Sequence, residues 1–378
     1  MQRIYLDYAA ATPLDSRVLT AMQPYFAEKF YNPSATYLAA LDVKKDLETA
    51  RARVARILGA KPTEIIFTAG GTEANNLAIQ GIMEQFPGSN IVISAIEHES
   101  VLAPAGQYAH KIAPVTPEGV VDIDQLIKLI NDKTVLVSIM YANNEVGTIQ
   151  PIRKVAQELE KIRKVRRQKG NKMPLYLHSD AAQAGNYLDL HTARLGVDLM
   201  TLNGGKIYGP KQSGALFIKS HVRLKPQILG GGQERNLRSG TENVASNIGF
   251  AAALEIAQNE RHAEAKRLQE LQSIFWELLS EQVSQATING SLKHRLPNNI
   301  HITIPEQDNE RLLIKFEEAG IIAAAGSACS ASNEEPSHVL RAIGLSSAEA
   351  QASLRFSMGR TTTEGMIRKL TQTLVRLV

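Results

Sequence analysis

Lys206 stands among glycines in the run Asn203-Gly204-Gly205-Lys206-Ile207-Tyr208-Gly209-Pro210-Lys211. A lysine is seldom kept in a confined place without a role, and desolvation there lowers its pKa and leaves a nucleophilic amine. Such an amine is what Schiff-base formation requires. Four other polar clusters could work beside it. Ala69-Gly70-Gly71-Thr72-Glu73-Ala74-Asn75-Asn76 is a glycine turn running into a helical stretch, where free N–H groups and the Thr72 hydroxyl could hold an anion. It is neither a Walker loop nor a dinucleotide fingerprint, and an ordinary capped turn would read the same. Glu97-His98-Glu99-Ser100 offers an imidazole for catalysis, or only a capping side chain. Tyr141-Ala142-Asn143-Asn144-Glu145-Val146-Gly147 offers paired amides for a carboxylate, or a turn of the kind asparagine favours. Ser179-Asp180-Ala181-Ala182-Gln183 carries an aspartate that must be paired if it is buried.

Each cluster follows a short apolar run: Ile65–Thr68, Ile91–Ser94, Val135–Met140, Leu175–His178 and Leu199–Leu202, with Ala215–Ile218 completing the series. Near-continuous apolar strands separated by helices predict a mostly parallel sheet covered on both faces. Functional groups in such sheets gather at the carboxyl ends of the strands, which is where these clusters lie. From about residue 254 to 285 the pattern becomes one long amphipathic helix, with Leu268, Leu271, Phe275 and Leu278 at helical spacing. The run Ile300–Ile304 and a helix from Arg311 to Ala319 then suggest a smaller α+β unit. The expected fold is α/β, with a large domain over 13–255 and a small domain from 1–12 and 256–378. The 378 residues leave room for both.

Composition narrows the function classes. Hydrophobic residues make up 44% and charged residues 21%, the balance of a globular protein rather than a disordered or fibrous one. No apolar run approaches the ~20 residues of a membrane-spanning helix, and no secretory signal is visible, so a cytoplasmic location without membrane attachment is expected. One cysteine, Cys329, excludes a disulfide scaffold and a Cys-built zinc site, and no metal is expected. The net charge of +4 is too small to imply nucleic-acid binding by itself. One local cluster is denser: Arg163, Lys164, Arg166, Arg167, Lys169 and Lys172. It reads as a solvated helix end, or as a contact for a partner or a nucleic acid.

Taken together, a phosphate turn, a ring-stacking histidine, a carboxylate for a pyridinium nitrogen and a Schiff-base lysine are the complement of a pyridoxal-phosphate site. The ordered motifs also resemble those of the cysteine desulfurases: Leu6-Asp7-Tyr8-Ala9-Ala10, Gly71-Thr72-Glu73-Ala74-Asn75-Asn76, Glu97-His98, Asn143-Asn144-Glu145-Val146-Gly147 and Asp180-Ala181-Ala182-Gln183. Lys206 to Lys211, Arg238-Ser239-Gly240-Thr241-Glu242-Asn243 and Gly326-Ser327-Ala328-Cys329-Ser330 continue the match. The family is of fold-type I, class-V aminotransferase-like enzymes with a seven-stranded sheet. The resemblance implies that Lys206 binds pyridoxal phosphate and moves a proton at the substrate Cα. It further implies that His98 stacks on the ring, Asp180 pairs with its nitrogen, Gln183 contacts its oxygen, and Gly71 and Thr72 hold the phosphate. Thr241 is implied to reach the cofactor of a second subunit in a homodimer, and Asn143 and Arg355 to bind the substrate carboxylate. Cys329 is implied to take sulfur from L-cysteine as a persulfide and pass it to an acceptor protein. The long-loop subgroup it resembles serves iron–sulfur assembly or thiolation of RNA.

The sequence departs from the family in three places. Gly205 and Asn203 stand where the family usually has histidine and serine; Asn203 can still donate to phosphate, and Gly205 has no side chain to do so. The early Asn-Pro-Ser-Ser motif is reduced to Asn32-Pro33-Ser34-Ala35-Thr36-Tyr37. The stretch Arg163 to Met173 is longer and more basic than the usual connection. Two other readings stay open: a related lyase or aminotransferase, against which Cys329 counts, and a weakly active pyridoxal-phosphate-binding adaptor.

Overall fold

A computed structural model describes residues 3–326 and 336–378. Cys329 therefore lies outside the described residues. Seven strands form the large sheet: β2 (Ile65–Thr68), β3 (Asn90–Ser94), β4 (His110–Ala113), β5 (Thr134–Ser138), β6 (Tyr176–Asp180), β7 (Leu199–Asn203) and β8 (Gly214–Ile218). Their spatial order is β2-β8-β7-β6-β5-β3-β4. All pair in parallel except at β8, which runs antiparallel to both β7 and β2. The strands' side chains alternate between two cores. Val92, Val137, Leu177 and Met200 pack on one face with Val54, Leu58, Phe250 and Leu254. Ile91, Ile93, Leu136 and Leu199 pack on the other with Leu77, Ile82 and Val101. That double burial is why these runs read as continuously apolar.

β4 is the strand that the apolar pattern does not reveal. It sits at the sheet edge as His-Lys-Ile-Ala, with His110 and Ile112 exposed. An edge strand with one solvated side and a lysine is what edge protection favours, and it leaves no apolar signature.

The helix Val244–Gln282 starts ten residues before the leucine pattern does. Its first turns are small residues, Val244-Ala245-Ser246-Asn247-Ile248-Gly249, capped by the Asn243 side chain, which accepts from Ser246 N at 3.2 Å. At 1.5 Å per residue it is roughly 58 Å long, enough to serve two cores. Phe250 and Leu254 enter the first; Leu268, Leu271, Phe275 and Leu279 enter a separate one. There they meet a three-stranded antiparallel sheet of β9 (Thr287–Ile288), β10 (Asn299–Thr303) and β12 (Ser353–Ser357), in the order β12-β10-β9. Ile4 and Leu6 join the same core, and β1 (Ile4–Tyr5) pairs in parallel with β11 (Ile321–Ile322). The chain's first residues are thereby delivered to the carboxyl ends of β6 and β7, where Thr12 N donates to Gly205 O at 3.2 Å.

Candidate active site

A cavity of about 180 Å³ opens at the carboxyl ends of β2, β3, β6 and β7. Gly71, Thr72, His98, Asp180, Gln183, Asn203, Lys206 and Arg355 all line it. Each arrives by the shortest route from a strand. β7 ends at Asn203, whose Oδ1 accepts Gly205 N at 3.0 Å and bends the chain into the turn Gly204–Lys206. Asn186 Nδ2 then holds the Lys206 carbonyl at 2.8 Å. The lysine Nζ donates to Ala9 O at 2.8 Å and Ala10 O at 2.6 Å, so the N-terminal segment aims it. Gln183 Nε2 donates to the same Ala9 carbonyl at 3.0 Å.

At β2 the chain turns through Gly70, whose φ of +109° suits glycine, and enters the helix Gly71–Gln85. The first amides of that helix lack intrahelical acceptors and face an anion's position. A Cβ on Gly71 would lie 3.4 Å from Asn203 Nδ2, filling the gap between turn and amide. Among the described residues nothing accepts from that Nδ2, so two sets of donors converge there. This cradle suits a phosphate. Asn203 supplies a donor where Gly205 cannot; the Lys211 stem occupies the space beside Gly205, with its Cδ 3.3 Å from where a Cβ would stand.

One amide organises the opposite wall. Asn75 is fully buried, and its Nδ2 donates to Asp180 Oδ2 at 2.7 Å and to Ser100 Oγ at 2.8 Å. Ser100 in turn stands 2.8 Å from His98 Nδ1, and its backbone N–H donates to the same nitrogen at 3.1 Å. Because Nδ1 accepts, the neutral ring carries its proton on Nε2. Asp180 Oδ1 accepts Ala182 N at 2.9 Å. Neither Asn75 nor Ser100 stands out in the sequence as more than a helix residue; they are found only by folding two helices against β6.

The two asparagines divide differently from the expectation. Asn143 is fully buried and committed to structure: its Oδ1 accepts Glu145 N and Val146 N at 2.8 and 2.9 Å, and its Nδ2 donates to Ile96 O at 3.0 Å. Its Nδ2 also lies 3.4 Å from Met140 Sδ, so both its hydrogens and its oxygen have partners within the fold. Asn144 lines the cavity instead. Arg355 is 1% exposed on β12; Nη2 pairs with Asp7 Oδ1 at 2.7 Å, Nη1 donates to Asn144 O at 3.1 Å, and Nε is buried with no partner among the described residues. An orphaned guanidinium N–H in a cavity wall suits a carboxylate. Thr241 is exposed and outside this cavity. The segment carrying Cys329 is tied at both flanks to the cavity walls. Ala324 exchanges backbone hydrogen bonds with Arg355, Ser337 Oγ donates to Glu145 Oε2 at 2.6 Å, and His338 Nε2 lies 2.9 Å from Glu97 O.

With this geometry in view, comparison with known proteins is decisive. The aminotransferase class-V family model matches residues 4–370. The chain belongs to that family. Among its relatives, the cysteine desulfurase IscS of Dictyoglomus turgidum is 41% identical over 385 residues, covering all of this chain and 95% of the relative. A NifS-like protein superposes with a TM-score of 0.90 at 33% identity, covering 100% of this chain and 99% of the other. A structure described as SspA in complex with cysteine superposes at 0.79 with 32% identity, covering 94% of this chain and 98% of that one. Within the class-V family the chain is a cysteine desulfurase, and the family uses pyridoxal phosphate.

Glu97, next to His98, is fully buried; Oε1 accepts from Ser94 Oγ at 2.5 Å and Met140 N at 2.8 Å, while Oε2 has no partner among the described residues. Burial pushes its carboxyl up to about 8, with the charge of Asp180 adding to the rise. The folded protein thus keeps this proton to about pH 8, whereas an unfolded chain gives it up near 4.5. Stability is therefore lost as pH rises through that window. In thermal melts, Glu97→Gln should gain on the wild type steadily between pH 5 and pH 8 and no further above it. A constant difference across that range would mean that the buried carboxyl ionises without cost.

Proposed function

We propose that the cavity binds pyridoxal phosphate and L-cysteine, and that the enzyme releases L-alanine while sulfur stays on Cys329 as a persulfide. The observation that carries this reading is the convergence of Lys206, Asp180, His98 and the Gly71–Asn203 cradle on one cavity that Arg355 also lines, its buried Nε–H without an acceptor among the described residues. The donor set fits the cofactor: helix amides, Thr72 and Asn203 Nδ2 for phosphate, Asp180 for the ring nitrogen, His98 for the ring face, and Gln183 for the ring oxygen. When bound, pyridoxal phosphate supplies an aldehyde for amines and an electron sink for the substrate Cα.

The chain's own groups do the rest. Arg355 holds the substrate carboxylate through Nε, with Asp7 keeping the guanidinium's charge matched, and Asn144 takes the neighbouring place. Lys206 takes the proton from Cα and returns it. His98, held with its proton on Nε2 by Ser100, presents a donor toward the substrate. The Cys329 thiolate attacks the substrate sulfur; the Cβ–S bond breaks, the sulfur remains on Cys329 as S–SH, and the carbon fragment takes up a proton and leaves as alanine. No outside oxidant is needed, because the electron pair of the broken Cβ–S bond stays on the carbon fragment, which is reduced to the methyl group of alanine as the sulfur is oxidised to the persulfide level.

This reading extends to the assembly. The working unit is a homodimer in which Thr241 reaches the partner's cofactor phosphate. The chain divides into a large domain over 13–255 and a small one from 1–12 and 256–378, and it acts in the cytoplasm. The acceptor is a protein, a scaffold for iron–sulfur clusters or a thiolation enzyme.

Three variants test it. Lys206→Ala should lose the yellow cofactor absorbance and all turnover. Cys329→Ser should keep the absorbance yet form little or no alanine, and the wild type treated with cysteine should gain one sulfur on the Cys329 peptide by mass spectrometry. Wild-type turnover by Cys329→Ser would overturn the desulfurase mechanism. Ser100→Ala should lower kcat about tenfold, as loss of an orienting partner commonly does, with KM for cysteine nearly unchanged. It should also weaken the Nε2–H preference of His98 in nitrogen NMR of the cofactor-free protein; an unchanged ring would assign the orientation to the Ser100 backbone alone.

A further inference from the structure

The basic stretch singled out in the sequence forms one wall of a groove of about 580 Å³, larger than the catalytic cavity. Met173, Pro174, Leu175, Lys219 and His221 also line it. It opens at the amino ends of the strands whose carboxyl ends hold Asp180 and Asn203. Tyr176 lines the groove and Asp180 lines the cavity, about 13 Å apart along β6 at ~3.3 Å per residue. The groove therefore has a separate mouth from the catalytic cavity.

Its charge is unbalanced. Arg163, Arg166, Arg167, Lys172 and Lys219 line it against two carboxylates, Glu160 and Asp198. Both carboxylates are engaged. Asp198 Oδ2 accepts Arg163 Nη2 at 2.5 Å and Leu177 N at 2.9 Å; Glu160 accepts Arg167 at 2.8 Å. Arg166 is the unusual member. It is 4% exposed, and its Nη1 and Nη2 donate only to the carbonyls of Asn131, Thr134, Met173 and Pro174. Among the described residues no carboxylate pairs with it, and Nε has no acceptor. Asp132 attracts it only through space, and Arg163 repels it. A buried cation without a counter-ion is costly, and an anion in the groove would relieve that cost. The His221 ring, with its centroid 6.0 Å from that of Tyr176, adds an exposed flat face.

We propose that this groove binds a phosphate-bearing small molecule of nucleotide size. Its volume lies within the roughly 300–1,000 Å³ typical of small-ligand sites. A mixture of guanidinium and ammonium donors suits phosphate oxygens. Five cations gathered on one groove of this volume favour a compact ligand, while Lys164 and Lys169 of the same stretch do not line it.

The purified holoenzyme, its catalytic phosphate site filled by cofactor, is titrated calorimetrically with ATP and with inorganic tripolyphosphate at physiological salt. Saturable binding of either is expected. It should weaken at least tenfold in the double variant Lys172→Glu/Lys219→Glu, whose exposed side chains are dispensable for folding and whose alanine production should match the wild type. Arg166→Gln should weaken binding as well; if that variant fails to fold, the surface double variant still decides. The proposal is overturned if neither probe binds saturably, or if wild type and double variant bind alike. It is overturned in favour of a nucleic-acid surface if a single-stranded RNA oligonucleotide binds at least tenfold more tightly than ATP and loses that binding in the double variant.

Discussion

A guanidinium buried where four parts of the chain meet is the constraint on which the catalytic end of this molecule rests. Arg355 sits on a strand of the small sheet, pairs with Asp7 from the N-terminal segment, and donates to Asn144 on the large sheet's loop. Its backbone pairs with Ala324, a short way before Cys329 in the chain. Removing one partner of such a buried pair commonly costs about 3–5 kcal/mol, because the other charge is stranded. Asp7 therefore does more than neutralise a charge. It fixes the N-terminal segment whose Ala9 and Ala10 carbonyls aim Lys206, so the lysine and the arginine are located by one ion pair. Leaving Nε unsatisfied is a local debt of the kind that binding sites keep.

Asn75 plays the complementary part on the far wall. A single amide with two N–H groups sets both Asp180 and Ser100, and through Ser100 the imidazole of His98. The buried environment that makes these hydrogen bonds strong also makes their loss costly. Nearby, His178 is fully buried between Ser138 and Thr201 and is pushed down to about 4 by that burial. The layer beneath Asp180 thus adds no positive charge at neutral pH, and the aspartate keeps its carboxylate for what lies above it.

Much of this was legible from residue types. Lys206 and Asp180 announce themselves because a charge at the end of an apolar strand has few purposes, whereas the Gly71 turn reads equally as a capped turn until Asn203 is found beside it. The strands of the sheet's interior are equally plain, since both faces are buried. β4 is not, because an edge strand has to be polar on its open side. The Asn143-Asn144 pair shows where residue type alone runs out: either amide could bind a substrate. The deciding signal was present in the downstream Glu145-Val146-Gly147, since an asparagine whose oxygen accepts the amides two and three residues on is a turn-maker. The first asparagine builds the turn and the second is presented by it. Asn75 and Ser100 carry no such signal, because their roles come from two helices meeting over β6, a contact of the fold and not of the local sequence.

The anchors flanking Cys329 also set a leash. From Ala324, fixed on Arg355, five residues can extend at most ~17 Å, and the path back to Ser337 is likewise finite. If Cys329 carries the persulfide, its acceptor must come within that radius of Ala324, near where β12 and the Asn144 loop meet. A recipient seated only at the opposite end of the sheet would stay out of range. The geography of docking would then be set by chain length, with the acceptor covering whatever distance the chain cannot span.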